Sequence, residues 1–242
     1  ITIRALTIEE AAPLFNWMTA YAFTETPPVR DPQSFLDRFK PVGEHNTYLA
    51  AYDGDALAAT AGAGDMLQNV RGELVDSAGV FMVATHPAYR RKGYSFQVLK
   101  ALFEQLRQKG FGYSTLYPFR ESFYERLGYA NWPSPLITEI NPRSLAPLID
   151  RQNEAELEMF EFIQKPEAHH DFIKVYQKHI HGMAVFKKLP PPDPERNKYW
   201  VLISRVAGKL DGLMLYTLEG STPTPVSYTH LRAHETVLDL VC

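Results

Sequence analysis

Cysteine is almost absent from this chain. Of 242 residues only the last, Cys242, is of that type. An internal disulfide is impossible, and neither a thiol nucleophile nor a thiolate metal site is expected. Such sparing use of cysteine fits a reducing compartment, and a cytoplasmic location is expected. Long apolar runs are also missing. No stretch of 18 apolar residues occurs, so neither a membrane-spanning helix nor a membrane partner is expected. Neither sign of charge dominates: 25 Lys and Arg stand against 28 Asp and Glu, a net charge of −3. No basic footprint for nucleic acid follows from that balance, and no nucleic-acid partner is expected. His169, His170, His179 and His181 lie close together but lack the His-x-x-x-His spacing of a helical ligand pair. No neighbouring motif completes a site, so no metal is expected. What remains is a globular composition, 45% hydrophobic and 22% charged. The length suits one large or two small domains.

The most informative stretch runs from Ser77 to Ala130. An apolar strand, Val80 to Val83, leads through Ala84, Thr85, His86 and Pro87 into Arg90-Arg91-Lys92-Gly93-Tyr94-Ser95. Phe96, Leu99, Leu102, Phe103 and Leu106 then recur at three- and four-residue spacing, which predicts an amphipathic helix closed near Lys109 and Gly110. Strand, glycine loop and helix together form an anion pocket. The start of a helix offers unpaired N–H groups and a partial positive charge. Gly93 lets the backbone approach a phosphate, and Arg90, Arg91 and Lys92 add cationic donors. Downstream, Phe123-Tyr124-Glu125-Arg126-Leu127-Gly128-Tyr129 puts a phenol at the distance expected for a group beside the pocket. Tyr124 can serve there as a functional phenol or as a core aromatic. Tyr94 and Tyr129 are expected to pack, and His86 to cap a turn or lie on the surface rather than act as a base.

Element by element, Thr2 to Leu6 reads as a strand. Thr7-x-x-Glu10 is a capping box for a helix to about Tyr21, and Asp31-Pro32 opens a second helix to Phe39. Asn46 to Tyr52 and Ala56 to Gly62 form a hairpin about Asp53-Gly54-Asp55, and Leu74 to Val83 is the central strand. The expected fold class is α/β (α+β), a mixed central sheet flanked by helices in the order β-α-α-β-β-β-α-β-α. After Pro133-Ser134-Pro135, Leu145 to Gln164 and Asp171 to His179 read as helical, and Pro190 to Pro194 as an extended surface loop. Lys198 to Arg205 and Leu210 to Leu218 make a second hairpin that echoes the first. Its sheet is expected to lack further strands and so to promote association.

Strand, basic glycine loop, helix and Phe-Tyr-x-x-x-Gly-Tyr together resemble the acetyl-coenzyme A site of the GNAT superfamily of N-acetyltransferases. Asn69-Val70-Arg71-Gly72 followed by Ser77-Ala78-Gly79-Val80 is similar to the enhanced-intracellular-survival family, whose members carry two tandem GNAT domains and a sterol-carrier-like domain. The resemblance implies a GNAT domain at 1–138, a partial, truncated second GNAT-like domain at 139–225, and a homo-oligomeric parent protein. It implies acetyl transfer from acetyl-coenzyme A, a cosubstrate, to a primary amine, either a small molecule or a lysine, by direct attack. Backbone around Val83, Ala84 and Thr85 would bind the pantetheine arm and polarise the thioester. The loop of Arg90, Arg91, Lys92, Gly93, Tyr94 and Ser95 would hold the pyrophosphate, and Tyr124 would be the general acid. Phe23-Thr24-Glu25 matches a Phe-x-Asp segment lining the amine pocket, so Glu25 is either an anchor for a cationic acceptor or a solvated loop residue. The chain departs from the family at Phe119-Arg120-Glu121-Ser122, where studied members carry Ser-Glu-Gly-Gly. The family's general base, a terminal carboxylate, falls outside the sequence. A non-catalytic acyl-coenzyme A-binding module is the alternative reading.

The last residues stand apart. Val226 to Thr236, VSYTHLRAHET, resembles one reading frame of a transposase sequencing adapter, and Asp239 to Cys242 fits its next constant segment. Residues 226–242 are therefore expected to be a non-native tail without structural contribution. With Ile1 at the start, the whole reads as a frame cut at both ends.

Overall fold

The computed structural model describes residues 1–23, 29, 31–131, 155–195, 197–219 and 222–230, with side chains as far as 218. Two compact units divide the chain: 1–131 with 177–191, and 132–176 with 192–242.

In the first unit, β1 (Thr2–Leu6) is followed by α1 (Ile8–Ala22). The expected capping box starts that helix: Thr7 accepts from the Glu10 N–H, and the Glu10 carboxylate accepts from the Thr7 N–H. Asp31 caps α2 (Pro32–Phe39), its carboxylate accepting from Gln33 N–H at 3.1 Å. The strands β2 (Asn46–Asp53), β3 (Ala56–Val70) and β4 (Glu73–Thr85) form a meander, and α3 (Tyr94–Gln108) leads to β5 (Tyr113–Thr115) and α4 (Glu121–Glu125). The sheet order is β1-β2-β3-β4-β5, antiparallel except for the parallel β4–β5 pair. This is the element order read from the sequence.

Alternation along β2 covers both faces of the sheet. Leu49 and Ala51 join Ala59, Ala61, Ala63, Ala78 and Val80 under Val98, Leu99, Leu102 and Leu106 of α3. Tyr48 and Ala50 turn the other way, against Leu6, Ala11 and Phe15. The run of alanines on β3 leaves the space that α3 fills. Val98, not Phe96, completes the buried face of α3; Phe96 sits at its flank beneath Lys100 and Arg126.

β3 reaches Val70, well past the expected end at Gly62, because its outer half has a second partner. Met66, Leu67 and Gln68 pair with Phe186, Val185 and Ala184 of a strand, Ala184–Phe186, that lies far along the chain. The Asn69-to-Gly72 segment is the β3–β4 turn. Buried Asn69 donates to the Gln177 and Lys178 carbonyls at 2.9 and 3.1 Å and accepts from Gly72 N–H at 2.8 Å. Gln177, also buried, donates in turn to the carbonyls of Leu67 and Met183.

In the second unit, β6 (Glu156–Glu161) precedes α5 (Pro166–Gln177); with Ala184–Phe186 counted as β7, β8 (Trp200–Val206), β9 (Lys209–Glu219) and β10 (Thr222–His230) follow. The sheet order is β10-β9-β8-β6, all antiparallel. Three expectations change here. The helix expected over Leu145 to Gln164 is, in its described part, the strand β6 followed by a 3-10 turn at Phe162–Gln164: pairing with β8 overrides the helical preference of Leu157, Glu158 and Met159. The Trp200-to-Leu218 hairpin is flanked on both sides, by β6 and β10, so it does not expose two free edges. The segment from Val226 is not without contacts, since Ser227 to His230 lie opposite Leu215 to Gly212. Strand pairing uses backbone groups, so a sequence of any origin can add to an open edge. Residues 231–242 lie outside the described residues.

The two hairpins share more than their sequence echo. In the first, Asp53 pairs with Ala56, Tyr52 with Leu57 and Ala51 with Ala59, leaving Ala58 bulged. In the second, Val206 pairs with Lys209, Arg205 with Leu210 and Ser204 with Gly212, leaving Asp211 bulged. Turn length, register and bulge position coincide. Among the described residues no helix is long and apolar enough to cross a membrane, and no group of His, Cys, Asp and Glu could hold a metal ion.

Candidate functional site

The site is a cleft of about 500 Å³ in the first unit, lined by the end of β4, the loop after it, the start of α3 and the region before and within α4. Its origin is a divergence of strands. β4 pairs with β5 only from Ser77 to Gly79, and the cleft is lined by Val80 through Thr85 on one side and by Leu116, Tyr117 and Phe119 on the other.

β4 is irregular at this point. Thr60 pairs with Ala84 and Gly62 with Phe81, so Met82 and Val83 together oppose Ala61. Met82 has φ 52, a left-handed conformation costing a residue with a side chain about 1–2 kcal/mol. The Thr60 hydroxyl donates to the Met82 carbonyl at 3.1 Å and holds that carbonyl toward β3. A bulge of this kind re-aims the backbone groups that follow it. Here those belong to Val83, Ala84 and Thr85, all of which line the cleft.

The strand then enters a short 3-10 turn, Pro87–Tyr89, capped by His86, whose Nδ1 accepts from Ala88 N–H at 3.2 Å. Of the two roles expected of His86, capping or a surface position, the structure shows the cap. Arg91 (φ 65) and Gly93 (φ 79) both take left-handed angles. Alternation of that kind turns successive N–H groups to one side, forming an anion-binding concavity. Gly93 is the N-cap of α3 and supplies no side-chain cap, so the first-turn N–H groups are left for another acceptor. Arg90, Arg91, Gly93, Tyr94 and Ser95 line the cleft. Lys92 does not: its Nζ lies 3.5 Å from the Asp53 carboxylate. The Tyr94 hydroxyl donates to the same carboxylate at 2.8 Å, which holds the Asp53 carboxyl below and the Tyr94 phenol above its ordinary range.

At the inner end stands Tyr124, on α4. Its ring is 3% exposed and meets Phe119, Phe123 and Tyr129 edge-on at 5.5, 5.0 and 5.9 Å. The Tyr124 carbonyl accepts from the N–H groups of both Leu127 and Tyr129, and Gly128 (φ 91) lets the chain reverse so that Tyr129 folds back. That explains the Gly-Tyr pair of the motif. Tyr129 is indeed a packing residue, with its hydroxyl 2.6 Å from Ser114. Burial above all, with a smaller contribution from Tyr129, pushes the Tyr124 phenol up to about 12. It is therefore protonated at neutral pH, with a hydroxyl hydrogen to donate.

Of the residues singled out in the sequence, the cleft brings together Val83, Ala84, Thr85, Arg90, Arg91, Gly93, Tyr94, Ser95, Tyr124 and Phe23. Phe23, the C-cap of α1, is 61% exposed. Glu25 lies outside the described residues. The sequence reading missed the bulge at Met82, the Asp53 tether and Tyr89 as a lining residue. Met82 carries no sequence signal at all, because a left-handed methionine in a strand follows no propensity. The chemistry of the cleft fits a ligand with an anionic end, gripped by the loop, and an extended arm that can bond to an unpaired strand edge.

The acetyltransferase (GNAT) domain family matches residues 2–131. No curated protein matches the chain in sequence. Solved structures of similar fold include a probable N-acyltransferase from Enterococcus faecalis V583, with 18% identity and a TM-score of 0.71 over 97% of this chain and 60% of that one. GCN5-related N-acetyltransferases from Anabaena variabilis ATCC 29413 (16%, TM-score 0.71, 96% of this chain and 60% of that one) and Kribbella flavida (19%, 0.65, 95% and 57%) are also similar. At these identities the likeness is one of fold, and the chain spans about 60% of the length of these structures. The family match covers more than half of the chain and all the elements that line the cleft, and on that ground the chain belongs to the GNAT acetyltransferase family.

Proposed function

We propose that the protein is an N-acetyltransferase that moves an acetyl group from acetyl-coenzyme A to a primary amine within a ternary complex. The observation that carries this is the convergence, in one cleft, of a bulged strand edge, a left-handed cationic loop at a helix start and a protonated phenol. Bound acetyl-coenzyme A would supply an activated acetyl thioester. The N–H groups of the loop and of the first turn of α3, with Arg90 and Arg91, would bind its phosphates. The backbone of Val83 to Thr85 would bond the arm and stabilise negative charge on the carbonyl oxygen, commonly the largest single contribution to such catalysis. Tyr124 would act toward the leaving group by donating a hydrogen bond from Oη to the departing sulfur, on which the proton lost by the amine finally ends. Phe23 would border the amine, and Glu25 would hold a cationic acceptor.

Kinship with the enhanced-intracellular-survival family belongs to the same proposal. So does the reading of 139–225 as part of a second, related domain. The coincident register and bulge of the two hairpins support it. The position matching Asp53 in the second hairpin is Val206, which cannot tether a loop, in keeping with a single working site in the first unit.

Calorimetric titration with coenzyme A, followed by a thiol-release assay against a polyamine, an aminoglycoside and a lysine peptide, tests the proposal. Binding and turnover with one of these amines are expected. No coenzyme A binding would refute it, and binding without turnover of any amine would favour the non-catalytic module.

A further inference from the structure

The loop that follows β4 has no strand partner beyond His86, whose N–H reaches the Ala58 carbonyl at 2.9 Å. Something else must hold its side chains. On α1, Trp17 and Tyr21 stand one turn apart on the same face and stack, with ring centroids 6.0 Å apart and planes 11° apart. Trp17 also stacks on His86 at 5.4 Å, and His86 meets Tyr89 at 5.4 Å. The circuit closes through Arg90, whose guanidinium lies 5.8 Å from the centre of the Tyr21 ring. Trp17 and Tyr21 are 43% and 48% exposed.

Two of the three long cations of the loop, Lys92 and Arg90, are treated differently. Lys92 is occupied by Asp53. Arg90 forms no ion pair among the described residues; its guanidinium rests on an aromatic face and its five donors stay available. Arg90 lines the cleft, whereas Tyr21 and Trp17 do not.

We infer that Tyr21, backed by Trp17 and His86, is a positioning residue for Arg90, holding its guanidinium ready for the phosphate end of an acyl-coenzyme A. Tyr21 touches no ligand; it acts by fixing beforehand a side chain that would otherwise sample many rotamers. The π-face matters and the hydroxyl does not. This inference rests on the proposed function, since it presumes that the loop binds phosphate.

Calorimetry with coenzyme A and with pantetheine, which has the same arm but no phosphate, tests it. Tyr21→Leu should weaken coenzyme A binding about two- to fivefold, the range expected for losing an exposed cation–π contact, and leave pantetheine unchanged. Tyr21→Phe should restore wild-type affinity. In an Arg90→Ala background, Tyr21→Leu should have no further effect, because the residue through which it acts is gone. The inference is overturned by Tyr21→Leu matching wild type on coenzyme A, by equal losses on both ligands, by failure of Tyr21→Phe to rescue, or by an undiminished effect in the Arg90→Ala background. Wild type failing to bind coenzyme A at all would overturn the proposed function along with it; wild type binding well beside an unaffected Tyr21→Leu overturns this inference alone.

Discussion

Tyr124→Phe separates chemistry from packing. The substitution removes one hydroxyl from a ring held edge-on by Phe119, Phe123 and Tyr129, so the aromatic cluster stays filled. Among the described residues that hydroxyl makes no hydrogen bond, and stability should change little. The phenol sits at about 12, and a thiol near 8.5, so complete proton transfer from one to the other is uphill by about 5 kcal/mol. Donation of a hydrogen bond to the departing sulfur is the accessible contribution. A bond to a charged partner is worth about 1.5–3 kcal/mol, which converts to a kcat roughly 10- to 150-fold lower. Coenzyme A affinity should not move. Because the phenol stays protonated far above neutrality, Tyr124 should also produce no alkaline fall in kcat below about pH 11. Steady-state kinetics with a turned-over amine, calorimetry with coenzyme A and circular dichroism of both proteins make the assay. A kcat within twofold of wild type in a folded variant would refute the assignment and leave Tyr124 a core aromatic.

Gly93→Val should weaken coenzyme A binding at least tenfold; an added Cβ would meet nothing within 4 Å, so the cause is the left-handed backbone at φ +79, and an unchanged affinity by calorimetry would remove the loop from the site. Tyr124 and Tyr129 both sit near 12 against an ordinary 10, so the folded chain keeps protons that the unfolded chain gives up between those values. The contribution of these two phenols should be level below pH 10 and fall as pH rises from 10 to 12, by on the order of 1–3 kcal/mol from Tyr124; denaturant titrations at pH 9 and pH 11.5 with equal midpoints would contradict it. Asn69→Ala strands the partners of three hydrogen bonds at a buried turn and should cost about 3 kcal/mol, seen as a fall of roughly 6–12 °C in melting temperature. A fall under 2 °C would mean that water replaces the amide.

The parts of the fold that could be read in advance are those fixed by neighbours in sequence. Thr7 with Glu10, Asp31 with Pro32, and Gly54 between two apolar runs each announce a cap or a turn within four residues. The cleft loop was legible for the same reason: Arg90 to Ser95 is contiguous, and its glycine and its cations declare their use. What escaped depends on distant partners. β3 runs on to Val70 because Ala184 to Phe186 come back to pair with it. Glu156 to Glu161 extends because β8 is there to receive it. The strain at Met82 is imposed by the register of β3 and β4 together, and the tie between Asp53 and Tyr94 spans two elements that local pattern cannot join.

The returning strand has a consequence for the order in which this protein can be made. A ribosome delivers β3 and its turn early, yet Ala184–Phe186 follows more than a hundred residues later. At bacterial and eukaryotic rates of about 5–20 residues per second, that delay lasts roughly 5–25 s. Throughout it, Met66 to Gln68 present an open strand edge, and the side-chain N–H groups of Asn69 have only water to bond. A nascent chain in that condition is a client for chaperones and a template for unwanted pairing. From the viewpoint of the sheet that carries the cleft, everything from residue 132 to 176 is one long insertion, tolerable because the entropy of closing a loop grows only as the logarithm of its length. Gene dissection at residue 138 would release the cleft's sheet with that edge permanently bare.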